Sequence, residues 1–139
     1  MPGEHTYDYA IIRIVPRVDR GELINVGVIL SCPAADFLEA RIELDASRLL
    51  ALDPSADVEA ARANLEMIPR VCRGGADAGE LGALAQRSRF HWLVSPRSTI
   101  IQMSPVHTGR TGDPAKALQR LLETMVRSPR GLSDSRAGL

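Results

Sequence analysis

Aromatic residues are scarce in this chain of 139 residues, at 4%, and Lys116 is its single lysine. A core with so few rings must be mostly aliphatic. An excess of charge of one sign is also missing, because 17 basic residues balance 17 acidic ones. Proteins that bind nucleic acids or other polyanions without selectivity usually carry a basic excess. We therefore expect no nucleic-acid partner.

The sequence also has little cysteine and no long apolar run. Cys32 and Cys72 have no CxxC partner and no metal-ligand spacing, so we expect both thiols to be reduced and buried. No apolar stretch approaches the roughly 18 residues that suggest a membrane span, and no signal peptide is visible. These features predict a cytoplasmic protein that makes no contact with a membrane.

The length of the chain suits one domain with a single core. Residues 1–6 show no pattern and are predicted to be a loose leader, and residues 7–127 are predicted to form the domain. The last segment, 128–139, contains Pro, Gly, Ser and Arg without periodicity, so we predict a disordered tail.

Two β-branched segments open the domain and predict a hairpin. They are Tyr7–Val15 and Leu23–Cys32, and the turn Asp19-Arg20-Gly21 between them suits a positive φ at its last residue. Matching the apolar residues across this turn puts one face of the sheet on the core and places Arg13 opposite Gly27.

Later segments predict one more strand, a second hairpin and several helices. The predicted elements are a strand over Phe37–Leu44, a helix from Asp53-Pro54 to about Met67, a helix after the Asp77/Glu80 capping box, a hairpin of Phe90–Ser95 with Thr99–Ser104, a loop over Pro105–Gly112 and an amphipathic helix after Asp113-Pro114. Together they predict an α+β fold. Its mainly antiparallel sheet has about five strands, from two hairpins plus a meander strand, and three or four helices cover it. The strand order stays open.

One candidate site lies on the first hairpin. A glycine inside a strand often marks the close approach of a ligand, a side chain or another backbone, and Gly27 is such a residue. Apolar matching places Arg41 beside it, and an arginine in an apolar run needs a partner when it is buried. With Arg13 and Asn25 these residues form a candidate anion-binding patch. The alternative is structural, with Arg13 paired to a nearby glutamate (22, 39 or 43) and Gly27 only making space.

A second candidate site lies on the later loops. Arg97 follows Ser95-Pro96, and His107 and Thr108 precede a glycine and the start of the last predicted helix. We take Arg97 and Thr108 as candidate ligand-binding residues, and His107 as a candidate general base or phosphate ligand. The alternative is a turn held by its Ser, Thr and Gly residues, with a surface histidine.

Standard catalytic motifs are absent from the sequence. It contains no G-x-G-x-x-G, G-x-x-x-x-G-K-[ST], H-E-x-x-H or G-x-S-x-G pattern. Its three histidines lie far apart, so we expect no metal site and predict no cofactor. Whether the protein is an enzyme stays open, with the balance towards no activity.

Two motif blocks carry a family resemblance. The first combines Arg13, Val15-Pro16, Arg20-Gly21-Glu22 and Asn25-Val26-Gly27-Val28; the second combines Ser95-Pro96-Arg97, Ser104-Pro105-Val106-His107-Thr108-Gly109 and a closing helix. From Tyr7 to Arg127 the chain resembles the bacterial domain-of-unknown-function family 3037. The resemblance implies a stand-alone bacterial protein. Because members are often encoded beside HipA-like kinases, it also implies a kinase partner, but it supplies no catalytic residues.

Two functional hypotheses follow. The first is a non-enzymatic interaction or regulatory module that partners a HipA-like kinase. The second is an enzyme or sensor that binds a phosphorylated small molecule or nucleotide, and it requires the Arg13 and His107 clusters to meet. Exposed strand edges are often covered by dimerisation, so a homodimer is a further expectation.

Overall fold

The β-branched segments of the sequence pair into a five-stranded antiparallel sheet. The computed structural model describes residues 3–96 and 99–128. Its strands are β1 His5–Ile14, β2 Ile24–Cys32, β3 Phe37–Ile42, β4 Ile101–Met103 and β5 His107–Thr111. Their order across the sheet is β3-β2-β1-β4, and β5 also pairs with β1.

Four α-helices accompany the sheet within the described ranges. They are α1 Ala46–Leu52, α2 Val58–Arg73, α3 Gln86–Val94 and α4 Pro114–Leu121. The last continues as a π-helical turn, Leu122–Val126, and 3₁₀ segments occupy Pro33–Ala35 and Ala76–Ala83. This architecture confirms the predicted α+β class with an antiparallel sheet of five strands.

Both faces of the sheet are buried, which corrects the expectation of one core face. Residues such as Ile12 pack on one face against α2 and α3, and residues such as Val28 pack on the other against α4. All but one residue of β2 are buried. A strand covered on both faces shows a continuous apolar run instead of an alternation. The sequence of β2 is of that kind.

The predicted register of the first hairpin is wrong. Gly27 pairs with Ile12, and Arg13 pairs with Asn25 after a β-bulge in which Val26 is the extra residue. On the other side, Gly27 pairs with Ile42 and Val28 with Arg41, so Arg41 is not directly beside Gly27. Register is well specified by the apolar pattern only where one face is buried, and here both faces are apolar.

The predicted second hairpin is also wrong, although its last segment is a strand. Phe90–Ser95 lies mostly in α3, because Phe90 and Leu93 are both buried at helical spacing. Part of the expected loop Pro105–Gly112 is strand β5, which pairs with β1. The fifth strand of the sheet therefore comes from the segment predicted to be a loop.

Helix boundaries differ from the prediction where two caps compete. Asp57 accepts a hydrogen bond from the Ala60 backbone and begins α2, whereas Asp53 ends α1. Pro69 lies inside α2 and does not end it. The predicted cap of the last helix is confirmed, since the Asp113 side chain accepts from the Lys116 backbone.

The segment after Asp77 and the start of β1 also differ from the prediction. The segment after Asp77 is 3₁₀, and its helical geometry breaks at Gly79, where φ is +64°. β1 begins at His5, inside the segment predicted to be a loose leader. Most of the predicted tail, 129–139, lies outside the described residues.

We expect Gly27→Ala to destabilise the protein by about 1–3 kcal/mol. A Cβ at Gly27 would lie 2.5 Å from the backbone oxygen of Arg41, so two paired strands would have to separate. Urea denaturation gives the free energy of unfolding. The matched control is Gly112→Ala, where the nearest atom lies at an ordinary 3.5 Å. Equal stability of the two variants would contradict the close approach.

Candidate functional site

The structure brings Arg13 and Asn25 together beneath the end of the closing helix. Nε of Arg13 donates to Oδ1 of Asn25 over 3.4 Å, and Nδ2 of Asn25 donates to the carbonyl oxygen of Met125 over 2.9 Å. Met125 lies in the π turn, at a helix end whose carbonyl groups lack partners within the helix. This pair therefore links β1 and β2 to the C-terminal segment.

The Arg41 side chain also bonds to the closing helix. Its Nη1 donates to Oε1 of Gln119 in α4. Gly27, in the neighbouring strand, is buried against the Arg41 backbone. The glycine thus marks the close approach of another backbone, which was one of the three alternatives that the sequence left open.

Two more arginines hold the C-terminal end of the closing helix. Nη1 of Arg48 donates to the carbonyl oxygen of Val126 over 3.1 Å. Arg127 makes two hydrogen bonds of 2.8 Å to the carboxylate of Glu43, which raise the pKa of Arg127. These groups border a cavity of about 510 Å³ that carries both signs of charge. Because the arginines here donate within the protein, anion binding by Arg13 and Arg41 stays a prediction.

A second polar cluster joins α3 to the sheet, and Thr108 is its only predicted member. Arg87 donates through Nη2 to Oδ2 of Asp8 and through Nη1 to Oγ of Ser31, the latter over 2.8 Å. Thr108 donates from Oγ1 to Oδ1 of Asp8 over 2.9 Å. The guanidinium also lies over the ring of Phe90, 4.9 Å from its centre. An aspartate inside the β-branched run of β1 was the signal that could have revealed this cluster.

The cluster keeps Asp8 ionised. Partial burial alone would raise the pKa of Asp8, but the hydrogen bonds from Arg87 and Thr108 outweigh it and hold the pKa below its ordinary value. A carboxylate of this kind does not exchange a proton near neutral pH, so it is poorly suited to general acid–base chemistry. The arrangement links α3 and β5 to β1 through the Asp8 carboxylate.

His107 and Arg13 do not meet. His107 pairs with Tyr9 across the sheet, and the two ring centres lie 5.5 Å apart. Arg13 follows Tyr9 by four residues along β1, about 13 Å away at the rise of a strand. Arg97 lies outside the described residues. Arg13 and His107, which the ligand hypothesis needed together, are therefore apart in the sheet.

The Ser104-Pro105-Val106 motif has a structural role at the sheet edge. The Ser104 backbone donates to the carbonyl oxygen of Ile11 over 2.9 Å, and the Ser104 hydroxyl accepts from the Ile11 backbone over 2.8 Å. The hydroxyl thus replaces a backbone acceptor where the edge strand is interrupted. β4 and β5 continue on either side of this interruption.

An apolar cleft of about 540 Å³ opens between α2, the end of α3 and β4. Its walls include the buried side chains of Ile68 and Leu93, and Met67 and Ile100 lie beside them with 41% and 40% of their surface exposed. Apolar residues form most of the lining, and a cleft of this size suits an apolar group with a polar group beside it. The polar residues that share the lining are Asn64, Arg70, Ser95, Thr99 and Gln102. The sequence did not reveal this cleft, because its walls come from three distant segments.

Residues 9–126 match the family described as Protein of unknown function (DUF3037). The chain belongs to this family. The match confirms the resemblance carried by the two motif blocks, and it runs from β1 to the end of the closing helix. No curated protein and no solved structure matches the chain. For this DUF3037 protein the geometry must therefore support any functional proposal.

Within residues 3–96 and 99–128 no group of three His, Cys, Asp or Glu side chains could hold a metal ion. No helix in the same ranges is long and apolar enough to cross a membrane.

We expect Asp8→Asn to lower the free energy of unfolding by about 1–2 kcal/mol at pH 7, because it leaves Arg87 without its counter-ion. The depressed pKa of Asp8 makes its stabilisation complete above the ordinary carboxyl pKa of about 3.9. That stabilisation disappears as the pH falls through the lower folded-state pKa. The difference between the variant and the wild-type protein should therefore shrink in acid.

Urea denaturation from pH 7 downwards measures this difference. Glu66→Gln is the control, since Glu66 is exposed on α2. It should change the free energy of unfolding by less than about 0.5 kcal/mol. A difference for Asp8→Asn that persists unchanged in acid would show that the carboxylate charge is not the cause.

Both cysteines should resist thiol reagents in the native protein. Cys32 and Cys72 are buried, as predicted, and both are free. Burial raises the pKa of Cys72 to about 12, so almost no thiolate forms near neutral pH. At pH 8 we expect a thiol reagent to label neither cysteine quickly in the folded protein. In denaturant the same reagent should label both. Fast labelling of folded protein would contradict this packing.

Proposed function

We propose that this DUF3037 protein is a non-enzymatic interaction module that receives an apolar side chain of a protein partner in the cleft between α2, α3 and β4. The observation that carries the proposal is that the exposed side chains of Met67 and Ile100 lie beside the buried side chains of Ile68 and Leu93 in one cleft. Buried apolar anchors that fill such clefts supply much of the energy of protein interfaces.

The side chains around the cleft suit a partner of particular chemistry. Methionine is flexible and adapts to different apolar groups, which makes Met67 a suitable docking residue. Arg70 also lines the cleft, and it forms no ion pair with any residue in the part of the chain that the structure describes. The partner that fits is an apolar anchor with a carboxylate beside it.

The partner that we infer is a HipA-like kinase encoded nearby. Its support is the family resemblance, which associates members of this family with such kinases. A cytoplasmic location belongs to the same proposal, and the two free cysteines are consistent with it. The rival hypothesis of a phosphorylated ligand gains no support from Arg13 and Arg41, because both guanidinium groups donate within the protein.

We expect Met67→Glu to weaken binding of the neighbouring kinase about tenfold or more, because a carboxylate would have to enter the apolar contact. Titration calorimetry with both purified proteins gives the dissociation constant. The matched control is Met125→Glu, which makes the same change at a methionine that is 42% exposed and lies outside the cleft.

Three outcomes separate the parts of this proposal. Weak binding by Met67→Glu, with normal binding by Met125→Glu, supports the cleft. Equal binding by both variants contradicts the cleft as the docking surface. No binding by the wild-type protein contradicts the kinase as the partner.

A further inference from the structure

The outer edge of β5 presents free backbone groups in a known order. Ile11 exchanges its backbone hydrogen bonds with Ser104, so its N–H and C=O point to the side of β1 where β4 and β5 lie. Backbone direction alternates along a strand, so Tyr7 and Tyr9 also point that way, towards Gly109 and His107.

The intervening residues of β5 therefore point away from the sheet. In an antiparallel pair, residues that do not bond to one neighbour direct their N–H and C=O to the opposite side. For β5 these residues are Thr108 and Arg110. Both are exposed, and β5 pairs with β1 alone among the described strands.

This edge lacks proline and bulges, two of the features that block strand pairing. The segment His107–Thr111 contains no proline and pairs with β1 in one unbroken register. The ring of Tyr7 covers Gly109, since a Cβ there would lie 2.5 Å from the ring. An aromatic ring placed over an edge glycine holds the strand in its extended form.

We propose that a second copy of this chain pairs with β5, antiparallel and centred on Gly109, so that the two sheets become one. In this register Thr108 lies opposite Arg110 of the second copy, and the symmetry repeats the pair. Each pair exchanges two backbone hydrogen bonds through the groups that point outwards. The centre is a glycine opposite a glycine, where the backbones approach closely without side chains between them.

Charge favours this register. Arg110 forms no ion pair with any residue within 3–96 and 99–128. In the pair it lies beside Thr108 of the other copy, and the carboxylate of Asp8 follows one strand further on the same face. A register shifted by one residue and centred on Arg110 would place two arginines opposite each other, which is unfavourable.

The proposal does not rest on the kinase or the cleft. The paired edge is β5, whereas the cleft is bordered by β4 on the other side of the Ser104 interruption. A dimer formed in this way does not cover the cleft. Dimerisation and partner binding can therefore be tested separately.

The test compares Arg110→Pro with Arg110→Ala by sedimentation equilibrium over a range of concentrations. Proline removes the N–H that points outwards and leaves the bonds to β1 intact, whereas alanine keeps that N–H. We expect the wild-type protein to be dimeric, Arg110→Ala to remain largely dimeric and Arg110→Pro to be monomeric. Circular dichroism checks that each variant is folded.

A second variant covers the case in which Arg110→Pro does not fold. Arg110→Asp keeps the backbone and brings a carboxylate towards Asp8, so the dissociation constant of the dimer should rise about tenfold or more. A wild-type protein that stays monomeric at its highest soluble concentration overturns the proposal. So does a dimer that neither Arg110→Pro nor Arg110→Asp weakens. A monomer that binds an extended peptide through this edge would assign the edge to another protein.

Discussion

β1 hydrogen-bonds along both of its edges, to β2 on one side and to β4 and β5 on the other. Because side chains alternate along a strand, Ala10 and Ile12 face α2 and α3, whereas Tyr7 and Ile11 face α4. The polar contacts follow the same division, since Asp8 fastens α3 and Arg13 reaches towards the closing helix through Asn25. The register of β1 therefore decides which of its side chains meet α2 and α3 and which meet the closing helix.

Arginine rather than lysine makes the contacts between distant segments. Arg41, Arg48 and Arg87 each reach a group more than fifty residues away in the chain. A guanidinium has a planar fork of donors that can serve two acceptors at once, as Arg87 does, and a lysine ammonium has no such fork. Arg70 and Arg110 are among the arginines without such a contact in the described ranges, and both lie on the proposed docking surfaces.

The sequence predicted the fold class, the first three strands and the closing helix, because each has a strong local signal. β-branched runs mark β1 and β2, and the Asp113-Pro114 cap marks α4. The register was not predictable, since apolar residues on both faces give no preference for one alignment. Nor was α3 predictable, because its segment Phe90-His91-Trp92 suits a strand equally well until burial of Phe90 and Leu93 decides. Arg87 and Asp8, 79 residues apart, meet only through that decision.

The Ser104-Pro105-Val106 motif interrupts the edge of the sheet between β4 and β5. This interruption separates the apolar cleft from the outer edge of β5. β4 and β5 both follow β1, but their registers differ by one residue, since three steps along β1 match four steps from Met103 to His107. The Ser104 hydroxyl satisfies the Ile11 backbone within this shift, so the extra residue costs no buried hydrogen bond. As a result β4 can close the apolar cleft while β5 leaves its outer edge unpaired. A residue without a hydroxyl at this position would leave the buried Ile11 N–H without an acceptor.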